Sequence, residues 1–314
     1  MEISFMGKPK VIVSSVVRGS QQGESHGGLY TVDFETEKIE QHVDWNSEEI
    51  DFEGRGADRG LRGITFDGDD IYVAASDELY CYDRNFKIKG SWRNPYLKHA
   101  HEIIRKDRKI FITSTGFDSL LAFDIESQEF MWGVHLIKQK GEWGSFAFDP
   151  KSNEGPRPVN NHHINMVHVD DTGIYLSGLN TNALLHVGHQ NNIQEVCSLP
   201  RGTHNARPFQ GGVILNDTGS DQVFFASPKS APKKFAIKQY DKQEILFEGI
   251  DDSKVARQGF GRGLSIYNDR YIVGGSSPST LSLYDLETGK TVSTINLTMD
   301  IRNAIHGLEI WPYE

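Results

Sequence analysis

The chain has 314 residues, a formal net charge of −10 at pH 7 and two cysteines, so it can form a large core but neither a disulfide framework nor a thiolate metal cage. Because the balance is acidic and no basic run stands out, we expect no nucleic acid and no anionic membrane among its partners. No apolar run approaches the roughly 20 residues that span a bilayer, and a secretory signal pattern is absent, so we expect a cytoplasmic protein.

The predicted elements are short strands joined by tight turns. Helical periodicity is almost absent, whereas short alternating runs closed by turn signals are typical of hairpins. The N-terminal segment predicts strands at 11–15, 28–32 and 39–43. The next group predicts strands at 63–66, 71–75, 78–83 and 86–92, with an Asp-Gly turn after the first. Later groups predict strands at 110–114, 120–124 and 130–134; at 173–177, 183–187 and 195–198; at 212–215 and 222–226, with another near 236 or 245; and at 271–274, 280–285 and 292–295.

Two markers recur along these groups and indicate a structural repeat. The third strand of a group often ends in an apolar residue followed by Asp and a turn, as at 32–33, 82–83, 123–124 and 284–285. Six stretches also begin alike, and in four of them a second apolar strand opens nine residues later. The residues that begin these stretches are Arg62, His101, His163, His204, Arg262 and His306.

These repeats predict an all-β protein, a six-bladed β-propeller that forms a single domain over residues 1–314. The N-terminal segment supplies only three strands, and residues 306–311 supply the missing inner one. Strands from both ends of the chain would then share one blade, which closes the ring and removes an exposed sheet edge. Long connections at 46–61, 137–162 and 249–261 interrupt the pattern, and such connections are often functional.

If each of the six stretches is the inner strand of a blade, its first side chain faces the central axis. Four histidines on one axis predict a transition-metal site, with iron or zinc as the expected cofactor. The expected metal ligands are His101, His163, His204 and His306. Arg62 and Arg262 are expected to bind an anionic group of the substrate, because guanidinium suits carboxylate, sulfate or phosphate.

Other residues near the predicted ring are candidates for supporting roles. Glu102 follows a ligand histidine and is a candidate to orient a histidine of an adjacent blade or to move a proton. Asn205 is a candidate for substrate binding, and His306 is an alternative acid or base. A one-residue shift would exchange His162 for His163, and Arg59 is similarly confusable with Arg62.

The arrangement resembles two groups of propeller enzymes in architecture. Carotenoid cleavage oxygenases hold axial iron on four histidines, and glutamates orient some of these. This resemblance implies that the four histidines are metal ligands here and that Glu102 orients one of them. Peptidyl-hydroxyglycine lyases have six blades, an axial zinc on three histidines and an essential arginine. Neither resemblance extends to sequence motifs along the chain.

The leading hypothesis is a metal-dependent enzyme, a lyase or a non-haem iron oxygenase, that acts on a small anionic substrate in the central channel. His306, Glu102, Arg62 and Arg262 are its candidate catalytic residues. The alternative is a non-catalytic propeller, a scaffold or binding protein whose metal is structural or absent. Aromatic and acidic residues in 137–162 also raise a third possibility, a sugar-acid lyase or hydrolase with a wide cleft.

Overall fold

A computed structural model describes residues 7–21, 23–46, 60–247 and 257–313, and these fold into six antiparallel sheets. Blade 1 contains β1 (Lys10–Val17), β2 (Gly27–Asp33) and β3 (Ile39–Asp44). Blade 2 contains β4 (Ile64–Asp67), β5 (Asp70–Ala75), β6 (Glu78–Tyr82) and β7 (Ile88–Arg93). Blade 3 contains β8 (Ile103–Lys106), β9 (Lys109–Ser114), β10 (Ser119–Asp124), β11 (Glu129–Gln139) and β12 (Glu142–Phe148).

The second half of the chain continues the same order. Blade 4 contains β13 (Ile164–Asp170), β14 (Gly173–Gly178), β15 (Ala183–Val187) and β16 (Ile193–Ser198). Blade 5 contains β17 (Thr203–Phe209), β18 (Gly212–Asp217), β19 (Gln222–Ser227) and β20 (Ser230–Ala236). Blade 6 contains β21 (Leu264–Tyr267), β22 (Tyr271–Ser276), β23 (Thr280–Asp285) and β24 (Lys290–Asn296). The predicted all-β, six-bladed propeller is confirmed.

The last strand, β25 (Asn303–Ile310), completes blade 1 and closes the ring as predicted. It pairs antiparallel with β1, so that blade 1 has the order β25-β1-β2-β3. Ser14 of β1 fastens this junction to blade 2: its Oγ donates to the carbonyl oxygen of Arg62 at 2.6 Å and accepts from the amide of Gly307 at 2.8 Å. One buried hydroxyl thus ties both ends of the chain to the neighbouring blade.

The hydrophobic core lies between neighbouring blades and leaves the axis to polar side chains. Between blades 6 and 1, Val13, Val273, Leu283 and Ile305 pack in one fully buried cluster. An equivalent cluster joins each blade to the next, so apolar burial fixes the blades around the axis. The first residues of the inner strands are therefore positioned by packing that does not involve their own side chains.

The aspartates that end the third strands serve as turn caps, which explains why they recur. The Asp33 carboxylate accepts hydrogen bonds from the amides of Glu35 and Thr36, at 2.8 and 3.1 Å. Asp83, Asp124 and Asp285 accept bonds from amides of their own turns in the same way. An aspartate that bonds to the backbone two or three residues later stabilises a turn.

The structure corrects two details of the strand prediction. The segment 137–162 is partly strand, because β11 runs on to Gln139 and β12 adds a fifth strand to blade 3. The fourth strand of blade 5 lies at 230–236 and not near 245. The connections 46–61 and 249–261 lie mostly outside the described residues. Among the described helices, none is long and apolar enough to cross a membrane.

Candidate functional site

Side chains from the starts of the inner strands converge where the axis opens at one face. The His101 ring lies 5.1 Å from that of His163 and 5.2 Å from that of His306, measured between centroids. Arg62 donates from Nη1 to Nε2 of His101 at 3.0 Å. Arg262 donates from Nη1 to Nε2 of His306 at 2.8 Å. We call these five residues, together with His204, the axial ring.

Glycines next to the ring residues let the inner strands approach closely. A Cβ at Gly63 would lie 2.6 Å from the amide nitrogen of Ile103 on the neighbouring strand. A Cβ at Gly307 would overlap the carbonyl oxygen of Arg62. Real Cβ atoms do not tolerate such contacts with backbone, so these two positions require glycine for packing.

His163, and not His162, belongs to the axial ring. The carboxylate of buried Asp118 accepts hydrogen bonds from the amides of Asn161, His162 and His163, which fixes the chain ahead of β13. His162 instead packs on Trp143, with ring centroids 4.7 Å apart. The one-residue ambiguity is thereby resolved.

The hydrogen bonds of His101 assign its tautomer. Its Nδ1 lies 2.7 Å from the carbonyl oxygen of His99, which can only accept, so Nδ1 carries the proton. Thr115 Oγ1, which lies 2.8 Å from the same nitrogen, donates to the carbonyl oxygen of Ile164. Nε2 is therefore the acceptor that faces Arg62, and the His101 imidazole is neutral.

His204 is held in the same way, but its other ring nitrogen has no hydrogen-bond partner among the described residues. Its Nδ1 lies 3.1 Å from the carbonyl oxygen of Gly202, again two residues earlier in the chain. Its Nε2 is buried and has no hydrogen-bond partner within the described ranges. The His204 imidazole also contacts the Phe260 ring, and the two centroids are 5.7 Å apart. This nitrogen is a bare acceptor directed into the site.

The electrostatic environment keeps the imidazoles neutral. Burial lowers the pKa of His101, His204 and His306 well below the ordinary value, and the charges of nearby arginines lower it further. Arg262 is the largest charge acting on His204 and His306, while Arg62 is the largest acting on His101. Burial and the guanidinium groups together therefore favour the uncharged form of the His101, His204 and His306 imidazoles.

Arg18 is a further guanidinium of this face that the repeat did not reveal. It directly follows β1 and lowers the pKa of both His204 and His306, after burial and Arg262. Its guanidinium carbon lies 4.8 Å from the centroid of Phe260, and that of Arg262 lies 4.7 Å from the same ring. The only signal in the sequence is its place at the end of a strand next to the inner strand of blade 1.

The geometry bears on the predicted metal in two ways. In the described part of the chain, no group of three or more His, Cys, Asp or Glu side chains is placed to hold a metal ion. The Nε2 atoms of His101 and His306 accept from arginines, so their lone pairs are occupied. The metal ligands His101, His163, His204 and His306 therefore stay a prediction, and a metal would have to displace two arginine donors.

Glu102 and Asn205 bond to each other below the axial ring. Asn205 Nδ2 donates to Glu102 Oε2 at 2.8 Å, and Asn205 Oδ1 accepts from Asn216 Nδ2 and from the Gly263 amide at 3.0 and 3.1 Å. The described side-chain bond of Glu102 thus goes to Asn205 and not to a histidine. Burial raises the pKa of Glu102 to about 8, and the nearby Glu309 carboxylate raises it as well.

Further along the channel lie three charged or titratable residues that the repeat pattern did not identify as site residues. Arg207 and His168 line one cavity with Glu309, at the end opposite the axial ring. The signal was present, since Arg207 and Glu309 both stand three residues after a ring histidine.

Comparisons with known proteins support the fold. No family model and no curated protein matches the chain. A chain in the crystal structure of a nidogen/laminin complex is 10 % identical, with coverage of 95 % of this chain and 97 % of that one and a TM-score of 0.59. A protein of unknown function from Bacteroides caccae is 11 % identical, with 96 % and 98 % coverage and a TM-score of 0.57. The C-terminal WD40 domain of Sif2 is 12 % identical, with 94 % and 88 % coverage and a TM-score of 0.52.

At these identities the similarity shows the propeller fold alone. These neighbours give no support to a closer relationship with carotenoid cleavage oxygenases or peptidyl-hydroxyglycine lyases, and the resemblance to those families stays one of architecture. Fold does not determine function, so the function has to be argued from the side chains on the axis.

Proposed function

We propose that the protein binds a small molecule through its anionic group on the propeller axis, at the axial ring. The observation that carries this proposal is the convergence of Arg18, Arg62 and Arg262 on uncharged imidazoles. Arg262 and His163 are only partly buried, which leaves the ring open to a ligand on that side.

The chemistry of the ring suits an oxyanion. Guanidinium groups form paired, charge-assisted bonds to carboxylate, phosphate or sulfate. Among the contacts that the structure describes, Arg62 and Arg262 donate to neutral imidazoles, and a neutral imidazole is a weaker acceptor than an anion. We infer that an arriving anion takes over these donors and leaves Nε2 of His101 and of His306 available to other groups.

A second candidate function is the metal-dependent enzyme expected from the sequence, a lyase or an oxygenase. It is favoured by the way His101 and His204 are held, with Nδ1 bound to a backbone carbonyl and Nε2 directed to the axis. Metal-ligating histidines are commonly oriented by such bonds. Iron or zinc held there would act as a Lewis acid on the bound substrate.

Thermal unfolding with added anions tests the first proposal. Phosphate, sulfate or succinate at about 100 times its dissociation constant should stabilise the wild-type protein by about 2.7 kcal/mol. Arg262→Gln should abolish this effect, whereas Arg93→Gln, which changes a half-exposed arginine on β7, should retain it. Anion binding would be refuted if no anion stabilised the protein, or if Arg262→Gln responded like the wild type.

Elemental analysis of protein purified without a histidine tag tests the second candidate. That candidate predicts about one iron or zinc ion per chain and its loss in His204→Ala. A metal-free protein that still binds anions would dismiss the metal and keep the binding function. A protein that binds neither would favour the non-catalytic scaffold.

A further inference from the structure

The channel end opposite the axial ring opens into a cavity of about 490 Å³. The inner strands of four successive blades form its wall, which combines opposite charges with an apolar rim. The residues that matter here are His168, Arg207, Ser265 and Glu309, with Phe209 and Ile266 at the rim.

Arg207 and Glu309 face this cavity from different blades. Arg207 donates from Nη2 to the carbonyl oxygen of Leu264 at 3.1 Å, and its Nε is buried without a partner among the described residues. Glu309 Oε2 accepts from Ser265 Oγ at 3.3 Å. The Arg207 guanidinium and the Glu309 carboxyl group thus line one cavity, while their described hydrogen bonds are to Leu264 and Ser265 and not to each other.

We propose that this cavity is a second ligand site, and that it takes a small zwitterion of the α-amino-acid type, with the carboxylate on Arg207 and the ammonium on Glu309. The apolar part of such a ligand would lie against Phe209 and Ile266. A zwitterion can bond to both the guanidinium and the carboxylate, whereas a singly charged ligand can bond to only one of them.

His168 and Glu309 are compatible with this assignment. Asp269 also lines the cavity, and Glu102 interacts electrostatically with Arg207 and Glu309. Burial lowers the pKa of His168 to about 4, and Arg207 lowers it as well, so the imidazole is neutral and does not compete for the carboxylate. Burial raises the pKa of Glu309 to about 7. An ammonium group beside Glu309 favours its ionised form, so binding should release a proton near neutral pH and weaken below it.

Calorimetry with three probes tests the proposal. L-Leucine carries both charges, leucinamide carries only the cation, and N-acetyl-leucine carries only the anion. We expect leucine to bind and each analogue to bind at least about tenfold more weakly. The proposal would be overturned if either analogue bound as tightly as leucine, or if leucine did not bind.

Leucine binding by two variants, and its competition with sulfate, test whether the ligand binds in this cavity. Glu309→Gln and Arg207→Gln should each weaken leucine binding by at least about tenfold, whereas Arg93→Gln should not. Saturating sulfate should not displace leucine, which separates this cavity from the axial ring. If Arg207→Gln fails to fold, a leucine-soaked crystal of the wild type decides: density between Arg207 and Glu309 supports the site, and density elsewhere or none contradicts it.

Discussion

Arg262 donates a hydrogen bond to Nε2 of His306 at 2.8 Å, and so fixes that imidazole as a neutral acceptor on the propeller axis. Arg62 makes the equivalent bond to His101 at 3.0 Å. The two histidine rings lie 5.2 Å apart. Arginines from two different blades therefore add to the effect of burial in keeping the His101 and His306 imidazoles neutral.

Replacing Arg262 should raise the pKa of His306. Burial is the largest cause of the lowered pKa and would remain, but the charge of Arg262 is the next largest and would be lost. NMR titration of histidine side chains in Arg262→Gln should show the imidazoles of His306 and His204 titrating at a higher pH than in the wild type. An unchanged titration would show that Arg262 does not govern the proton on His306.

The contribution of the axial histidines to stability should fall as the pH drops below about 6.5. His101, His204 and His306 have lowered pKa values in the folded protein, so the unfolded chain binds more protons below its ordinary pKa of 6.5. The stabilisation is complete above that pH and is lost progressively below it, by up to about 1.4 kcal/mol per pH unit for each histidine. Urea unfolding between pH 5 and 8 measures this slope, and His204→Gln should reduce it. The same slope below pH 6.5 in the wild type and in His204→Gln would contradict a neutral, buried His204, because Glu102 and Glu309 act alike in both proteins.

Glu102→Gln should stabilise the protein at alkaline pH. The pKa of Glu102 is raised from 4.5 to about 8, so folding keeps a proton that the unfolded chain loses. The contribution of Glu102 to wild-type stability should fall as the pH rises from 4.5 toward 8, while glutamine retains the acceptor for Asn205 without this penalty. The gain should be on the order of 2 kcal/mol near pH 8 and vanish near pH 4. A gain that did not change with pH would show that the Glu102 carboxyl is not responsible.

Gly307→Ala should destabilise the protein by about 1–3 kcal/mol. Its Cβ would overlap the carbonyl oxygen of Arg62, so the inner strands of blades 1 and 2 would have to separate. Gly144→Ala on β12 is the matched control, because its Cβ would come no closer than 3.5 Å, to Ile137. Equal unfolding midpoints for the two variants would show that close approach at Gly307 is not required.

The sequence predicted the propeller because local patterns determine most of it. Alternating runs place the strands, and the aspartate turns at Asp33 and Asp285 mark their ends by bonds within a few residues. The nine-residue spacing after Arg62, His101, His204 and Arg262 reflects an inner hairpin of constant length. These signals require no knowledge of contacts between blades.

The rest of the channel was missed because it depends on strand irregularities and distant contacts. Strict alternation would place His204 and Arg207 on opposite faces, but the pairing of β17 shifts register between them, and both face the channel. A similar shift where β25 pairs with β1 separates His306 from Glu309. His163 is fixed by Asp118, a residue 45 positions earlier in the chain, and no local pattern predicts that contact.

Anomalous diffraction from a crystal soaked in selenate tests the central claim most directly, because selenium marks the position of a bound oxyanion. The account predicts a selenium peak on the propeller axis within hydrogen-bonding distance of Arg62 or Arg262. Selenate found only on surface lysines and arginines, with the axial ring unchanged, would contradict it.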